Sequence, residues 1–340
     1  MKSSRVTIRD VAGALGLSTC TVSKVLNKAF ERCSYAKKTI ERVERKAREM
    51  GYTPNPQARS LRTRKTMLVG FLLPSAPAAI FGSLADQIER RLRPHGYQVL
   101  IAHSREGIAG ERELLASLLA RGIDGLVWVP GQDEIGSLVG EFPPGFPVVI
   151  LDRPGCGGGI PFVATDNRAA TAELARRMSG LGHRRIFVLN APVGDRSMSE
   201  RFQGLVDVFG ERVRAVNIEN DSGQAKEAVM GLLREGEEEG GVLPDALVAL
   251  SETLAIGALA GLRDLDVRMP EEISFAAFDD FPLAAHWSPR LTLIRQDVGG
   301  LADSAAEILI GRMTGSSAIF GDVRVPAAME WRESVVAPRR

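Results

Sequence analysis

Cysteine is scarce in this 340-residue chain: Cys20, Cys33 and Cys156 lie far apart and form no CxxC pair. That spacing excludes a disulfide framework and gives no zinc-ligand pattern, and it fits the reducing cytosol. Histidine is almost as rare. His95, His103, His183 and His286 are scattered, with no HExxH and no serine or cysteine nucleophile signature beside them. Surface or capping roles are expected for all four, with no catalytic residue, no metal and no cofactor. Long apolar runs are missing too, so no segment reads as a membrane span. The chain opens on charged and polar residues where an export signal would carry an apolar core, so a cytoplasmic protein with no membrane partner is expected. No Walker lysine motif occurs. The loop Gly155-Cys-Gly-Gly-Gly159 has a phosphate loop's composition, but strand-like Ile160-Pro-Phe-Val follows it and supplies no helix N-terminus for an anion. It reads as a flexible crossover, and the acidic run Glu235 to Glu239 reads as a solvated loop.

The net charge of +1 hides an asymmetry. Residues 1–66 carry sixteen Lys and Arg against five Asp and Glu, a net of +11; the remainder carries 27 against 37, a net of −10. A small basic head joined to a large acidic body points to a polyanion partner for the head alone. The length itself exceeds one hydrophobic core and predicts more than one domain.

The stretch Thr7 to Leu26 reads as two short helices. Ile8, Val11, Ala12 and Leu15 fall at i, i+3, i+4 and i+7, with Thr7 at the cap and Asp10 three residues on. Gly16 supplies a chain reversal that a β-carbon resists. Ser18 can cap the second helix, whose back is Val22, Val25 and Leu26 and whose front is Thr19, Cys20, Ser23, Lys24 and Asn27. A small, polar, cationic front suits the DNA major groove, because short side chains let the backbone approach base edges. From these residues alone an ordinary helical hairpin stays open. A third helix follows, with Ile40, Val43, Ala47 and Met50 on one side, basic residues on the other, and Gly51 at its end. In Tyr52 to Lys65, Asn55 can cap, Pro56 can open a helix, and Ala58 shares a face with Leu61; so short a helix needs a partner to hold it.

TIRDVAGALGLSTCTVSKVLN and GYTPNPQARSLR together resemble the LacI/GalR family of transcription regulators. The resemblance implies a head over 1–53, a hinge helix and linker over 54–66, and an effector-binding and dimerisation body over 67–340. It also implies that Thr19, Cys20 and Lys24 read bases while Leu61 wedges open the minor groove. Thr7, Ser18, Thr21, Ser23, Asn27, Asn55 and Ala58 complete the DNA-contacting set implied. Lys24 stands where the family often has arginine, and lysine lacks the flat fork that favours guanine. The connection from Asn27 to Thr39 is longer than the commonest family form.

From Thr66 onward strands alternate with helices, starting with the continuous apolar run Met67 to Pro74 expected of a doubly covered parallel strand. Two successive α/β units follow, the second closing on a helix over Val298 to Arg312, which predicts two doubly wound lobes. The expected fold is an all-α helix-turn-helix head on an α/β body resembling periplasmic sugar-binding proteins. The motifs carrying this are Arg201-Phe-Gln-Gly204, Ala255-Ile-Gly-Ala258, Phe278-Asp-Asp280, Pro289-Arg-Leu-Thr292 and Arg332-Glu-Ser334.

Positions matching family ligand contacts are Asp152, Asp166, Arg201, Ser251 and Asp279, with Ser75 after the first body strand. Carboxylates and a guanidinium suit the hydroxyls of a sugar, and Phe81, Trp128 or Phe281 could cover its ring. For each carboxylate a helix-cap role is the competing reading. Ser251-Glu252 replaces a frequent Asn-Asp, and Ala277 a frequent glycine. The resemblance thus implies a homodimeric repressor on a pseudo-palindromic double-stranded operator, controlled by a small carbohydrate-like effector, and not an enzyme. A soluble sugar-binding protein whose head does not act on DNA is the alternative, and a hydrolase built on the body a third reading.

Overall fold

The computed structural model describes residues 6–26, 35–53, 60, 63–74, 79–104, 107–156, 158–191, 195–238, 243–316 and 321–338. The chain divides into two compact units, Met1–Thr66 and Met67–Arg340.

In the first unit, α1 (Ile8–Leu15), α2 (Thr19–Leu26) and α3 (Lys37–Glu49) pack around Val11, Ala12, Val22, Val25, Val43 and Ala47. A full capping box starts α1: the Thr7 amide donates to Asp10 Oδ2 at 2.8 Å, and the Asp10 amide donates to Thr7 Oγ1 at 3.4 Å. The Thr7 amide, and after it the Thr7 hydroxyl donating to the same Asp10 oxygen at 2.7 Å, hold the Asp10 carboxyl below its ordinary pKa. Gly16 closes the helix at φ +64°. Ser18 accepts from the Thr21 amide at 3.0 Å and so caps α2.

The second unit holds two six-stranded sheets among the described residues. Its elements are β1 (Leu68–Pro74), α4 (Ala79–Leu92), β2 (Gln98–Ser104), α5 (Gly107–Ala120), β3 (Gly125–Trp128), a single turn α6 (Gly136–Val139), β4 (Val148–Leu151) and β5 (Phe162–Thr165). Then come α7 (Asn167–Leu181), β6 (Ile186–Asn190), α8 (Arg196–Phe209), β7 (Val213–Asn217), α9 (Ser222–Glu238), β8 (Ala246–Ala249), α10 (Glu252–Asp264) and β9 (Ser274–Phe278). β10 (Thr292–Arg295), α11 (Val298–Thr314), β11 (Val323–Val325) and β12 (Ala328–Glu330) finish the chain. The first sheet runs β11-β5-β4-β3-β1-β2, all parallel; the second runs β12-β10-β9-β8-β6-β7, with β12 antiparallel. Alternate residues of each strand feed opposite faces. Val69, Phe71 and Leu73 meet α4 and α11, while Leu72, Leu126 and Trp128 meet α5. Such two-sided burial is why these strands read as unbroken apolar runs.

The lobes are interleaved rather than successive. The chain crosses between β5 and α7, returns between β10 and α11, and crosses again between β11 and β12. Helix α11, expected to complete the second lobe, instead buries Leu301, Ala302, Ala305 and Leu309 against the first sheet. Its amphipathic pattern shows that it covers a sheet but not which one. Two further expectations change. The acidic run continues α9 to Glu238 instead of forming a loop. His183, expected at the surface, is buried with Nδ1 3.3 Å from Asp245 Oδ1.

Two motif glycines mark close helix contacts. A β-carbon on Gly204 would lie 2.0 Å from Thr171 Oγ1 and 2.4 Å from the Arg168 carbonyl; one on Gly257 would lie 2.1 Å from the Ser222 carbonyl. Gly204→Ala is therefore expected to destabilise the body by about 3 kcal/mol or more, since backbone cannot yield as a side chain can. Urea unfolding of the full chain measures it. Gly82→Ala on exposed α4, where nothing lies within 4 Å, should instead be neutral or stabilising.

Candidate inter-lobe site and recognition helix

In parallel sheets ligands gather beyond the carboxyl ends of the strands. Asp152 follows β4 in the first lobe and Asp279 follows β9 in the second. Both are left-handed, at φ +63° and +74°, a conformation aspartate tolerates better than most side chains. Each backbone is pinned: the Asp152 amide donates to the Val163 carbonyl at 2.8 Å, and the Asp279 amide to the Ile294 carbonyl at 2.9 Å.

Arg201 on α8 is the hub between them. Only 4% exposed, it donates through Nε to Asn167 Oδ1 at 2.9 Å and through Nη1 to the Leu250 carbonyl at 2.8 Å. Nη1 also lies 3.4 Å from Asp279 Oδ2, and the guanidinium carbon sits 3.7 Å over the Phe278 ring. Gln296 Nε2 holds the other Asp279 oxygen at 2.6 Å and accepts in turn from Thr165 across the crossover. Asp152 Oδ1 and Asn167 Nδ2 are buried with no hydrogen-bond partner among the described residues. Burial pushes the Asp152 carboxyl up, against the pull of Arg153 and then Arg201. An unsatisfied acceptor and donor on either side of a fixed guanidinium can serve a polar, uncharged ligand.

Beside this hub a cavity of about 460 Å³ separates the start of α4 (Ala79, Ile80, Ser83) from Asp279, Asp280, Phe281, Gln296 and Asp297. Glu252 reaches across to accept from the Ala79 amide at 3.1 Å. Burial raises the Glu252 carboxyl above its ordinary pKa.

The other expected contacts are placed differently from one another. Ser251 caps α10 through the Leu254 amide and donates to Asn220 Oδ1 at 2.6 Å. Asp166 caps α7, accepting from the Ala169 amide at 3.3 Å. Phe81 packs into the first-lobe core. Trp128 is wholly buried and donates to Glu111 Oε1 at 2.7 Å, whereas Phe281 does line the cavity. Ser75 lies outside the described residues.

Sequence reasoning missed Asn167, Gln296, Arg153 and Arg196. Asn167 and Gln296 stand at the crossovers, which no local pattern marks; Arg153 adjoins a named candidate, and its proximity was the available signal.

On the head, Thr7, Ser18, Thr19 and Cys20 are exposed, and Thr21, Ser23 and Lys24 are half-buried. Val22 and Val25 occupy the core behind them, so the polar side of α2 faces outward. Asn27, Asn55, Ala58 and Leu61 lie outside the described residues. Among the described residues no group of three or more His, Cys, Asp or Glu is placed to hold a metal, and no helix is long and apolar enough to cross a membrane.

Residues 7–55 match the model of bacterial regulatory proteins, lacI family, and residues 175–335 match a periplasmic binding protein-like domain. The HTH-type transcriptional repressor PurR of Klebsiella pneumoniae is 26% identical, over 97% of this chain and 96% of its own. A Lac repressor dimer bound to operator and the anti-inducer ONPF superposes with a TM-score of 0.86 at 23% identity, over 98% of this chain and 100% of that one. A complex of the transcriptional regulator CelR with cellobiose gives 0.68 at 25%, over 97% and 100%. With a matching head, a matching sensor body and full-length relatives, the chain belongs to the LacI/GalR family of DNA-binding transcription regulators.

Proposed function

We propose that this regulator is a cytoplasmic homodimeric repressor whose affinity for a pseudo-palindromic operator is set by a neutral carbohydrate between the lobes. The observation carrying the effector reading is the buried Arg201 hub, which holds Asp279 of the second lobe while Asp152 Oδ1 of the first lobe and Asn167 Nδ2 stay unsatisfied among the described residues. Asp152, Arg201 and Asp279 contact hydroxyls, and Ser251, Asp166, Ser75 and Phe81 are the other candidate effector contacts. The cellobiose complex of CelR supports a carbohydrate. The reading assigns binding to the cleft and no reaction.

On DNA, Thr19, Cys20 and Lys24 meet base edges from the outward side of α2, and the basic head gives affinity through phosphates, with Thr7, Ser18, Thr21, Ser23 and Asn27 around them. Asn55 and Ala58 seat the hinge helix, and Leu61 wedges the minor groove. The head spans 1–53 and the hinge 54–66, ahead of the body at 67–340. A hinge helix marginal by itself can be melted by a small shift of the lobes, which couples effector to operator.

The second copy covers an apolar cavity formed by Ile256, Leu259, Phe281, Pro282, Leu283 and Trp287. Leu283 is 65% and Ile256 48% exposed, unusual for side chains of that size without a partner. The dimeric state printed for the Lac repressor structure supports this. Leu283→Asp is expected to shift the protein to monomer in sedimentation velocity at micromolar concentration and to weaken operator binding with it. An unchanged dimer would place the interface elsewhere.

The function as a whole is tested by selecting bound duplexes from random DNA with the full chain, then titrating sugars against the selected duplex. A two-fold-related consensus released or tightened by one sugar supports it; absence of sequence-selective binding at low salt removes it.

A further inference from the structure

Two ion pairs cross between the lobes in opposite senses. Arg153, after β4 of the first lobe, places Nη2 3.0 Å from Asp195 Oδ2 at the start of α8 in the second lobe. The next residue, Arg196, reaches back: its amide donates to Asp133 Oδ1 at 3.2 Å, Nη1 donates to the Gly155 carbonyl at 3.0 Å, and Nε lies 3.9 Å from Asp133 Oδ2. Gly155 sits at φ +73°, and a β-carbon there would fall 2.7 Å from Arg196 Nη1, so this glycine makes room for the guanidinium. Ser197 Oγ adds a bond to the Asp152 carbonyl. The glycine loop that reads from sequence as a flexible crossover is thus one jaw of an inter-lobe contact.

Arg153 serves a second purpose. Its Nη1 lies 2.5 Å from Asp152 Oδ2 and 3.3 Å from the Asp152 carbonyl oxygen, which leaves Asp152 Oδ1 as the unsatisfied atom in the seam. One guanidinium fork therefore grips both a cleft carboxylate in its own lobe and a carboxylate in the other.

We propose that Arg153–Asp195 and Arg196–Asp133 form a reciprocal clasp that holds the lobes closed, and that Arg153 is the positioning residue that aims Asp152 Oδ1 only while the clasp is shut. Presentation of the effector carboxylate and lobe closure are then one event. The part concerning Asp152 rests on its effector-binding role proposed above; the clasp does not. Every charge in the device is needed by a partner. Asp133, Asp152 and Asp195 surround Arg153, while Arg196 faces Asp133 and Glu111 adds its negative charge to Arg153 from α5. Arg153, Asp133 and Asp195 are largely enclosed, at 11%, 18% and 24% exposed, so the Arg153–Asp195 pair is screened less than a surface pair; Arg196 is 51% exposed, and its pair with Asp133 is the more screened half of the clasp.

Hydrogen exchange of the full chain, read by mass spectrometry without DNA or sugar, tests the clasp. Asp195→Asn keeps a good helix cap and removes only the charge. It is expected to speed exchange about tenfold in the opposite lobe, at residues 131–135 and 152–156, with the strands of both sheets unchanged. Unchanged exchange there overturns the proposal. Arg196→Met and Asp133→Asn should each accelerate the same peptides, and together they should accelerate them by clearly less than the product of the two, because both remove the same ion pair. If the two substitutions instead add, the clasp is wrong. Because no ligand enters the measurement, its failure is distinguishable from failure of the effector reading, which shows only as sugar-independent operator binding. For Asp152, Arg153→Ala should accelerate exchange at 152–156 beyond Asp195→Asn, since it frees both carboxylates. Equal acceleration would leave Arg153 a clasp residue and overturn its positioning role.

Discussion

Arg201→Ala is expected to cost the body about 3–5 kcal/mol, the range for removing one partner from a buried charge network. Arg201 is 4% exposed, lies 3.4 Å from Asp279 and pulls electrostatically on the Asp152 carboxyl, both carboxylates being nearly as buried. Without it two carboxylates face each other with only Arg153 as a cation beside Asp152, and Asn167 and the Leu250 carbonyl lose a donor. Lysine should recover less than half, because it cannot reach three acceptors at once or lie flat on Phe278. The deficit should also depend on pH, with a sign that identifies its cause. The Asp152 carboxyl, already pushed up by burial, loses the pull of Arg201 in the variant and rises further above its unfolded value, so the folded state binds more protons and the loss shrinks as pH falls towards the carboxylate range. Urea unfolding of wild type and variant at neutral and mildly acidic pH measures both effects. A deficit independent of pH would mean that packing on Phe278, and not charge, dominates.

Operator affinity is expected to fall by about 10³-fold or more between 50 and 200 mM salt, on the scale for six to ten neutralised phosphates. The +11 charge of residues 1–66, set against −10 in the remainder, is the reason to expect so steep a slope. Fluorescence anisotropy on a selected duplex gives the slope directly. Leu61→Ala should weaken binding at every salt concentration and leave the slope unchanged, since an apolar wedge releases no counterions. A slope that changes with Leu61 would assign the hinge a phosphate-binding role instead.

Local structure was legible wherever a few neighbouring residues decide it. Thr7 with Asp10, Gly16 and Ser18 punctuate the first two helices because caps and left-handed turns are local chemistry. The apolar run at Leu68–Pro74 becomes a doubly covered strand for the same reason. Asp279, expected at the end of SFAAF, stands beside Arg201 because parallel strands deliver their carboxyl ends to one edge. What was not legible depends on the path between lobes. Nothing in Val298–Thr314 says that it covers the first sheet. Asp166 and Ser251 satisfy helix ends, an outcome equally written in an Asp or Ser before a helix. Trp128 reads as a stacking aromatic until its strand's pleat turns it towards α5 and Glu111. The ion pairs that Arg153 and Arg196 make across the lobes form only when residues 42 or more positions away arrive from the other side.

The link between cleft and head is tested most directly by titrating a panel of sugars against the full chain on its selected duplex, for wild type and Asp279→Ala in parallel. Asp279 touches Arg201 and Gln296 in the body and lies outside the basic head, so operator affinity without sugar should be the same for both. One sugar should shift the wild-type affinity at least tenfold, about 1.4 kcal/mol of coupling, and leave Asp279→Ala unmoved. An equal response from both proteins, or none from either with any carbohydrate, would contradict control of the head by a sugar in this cleft.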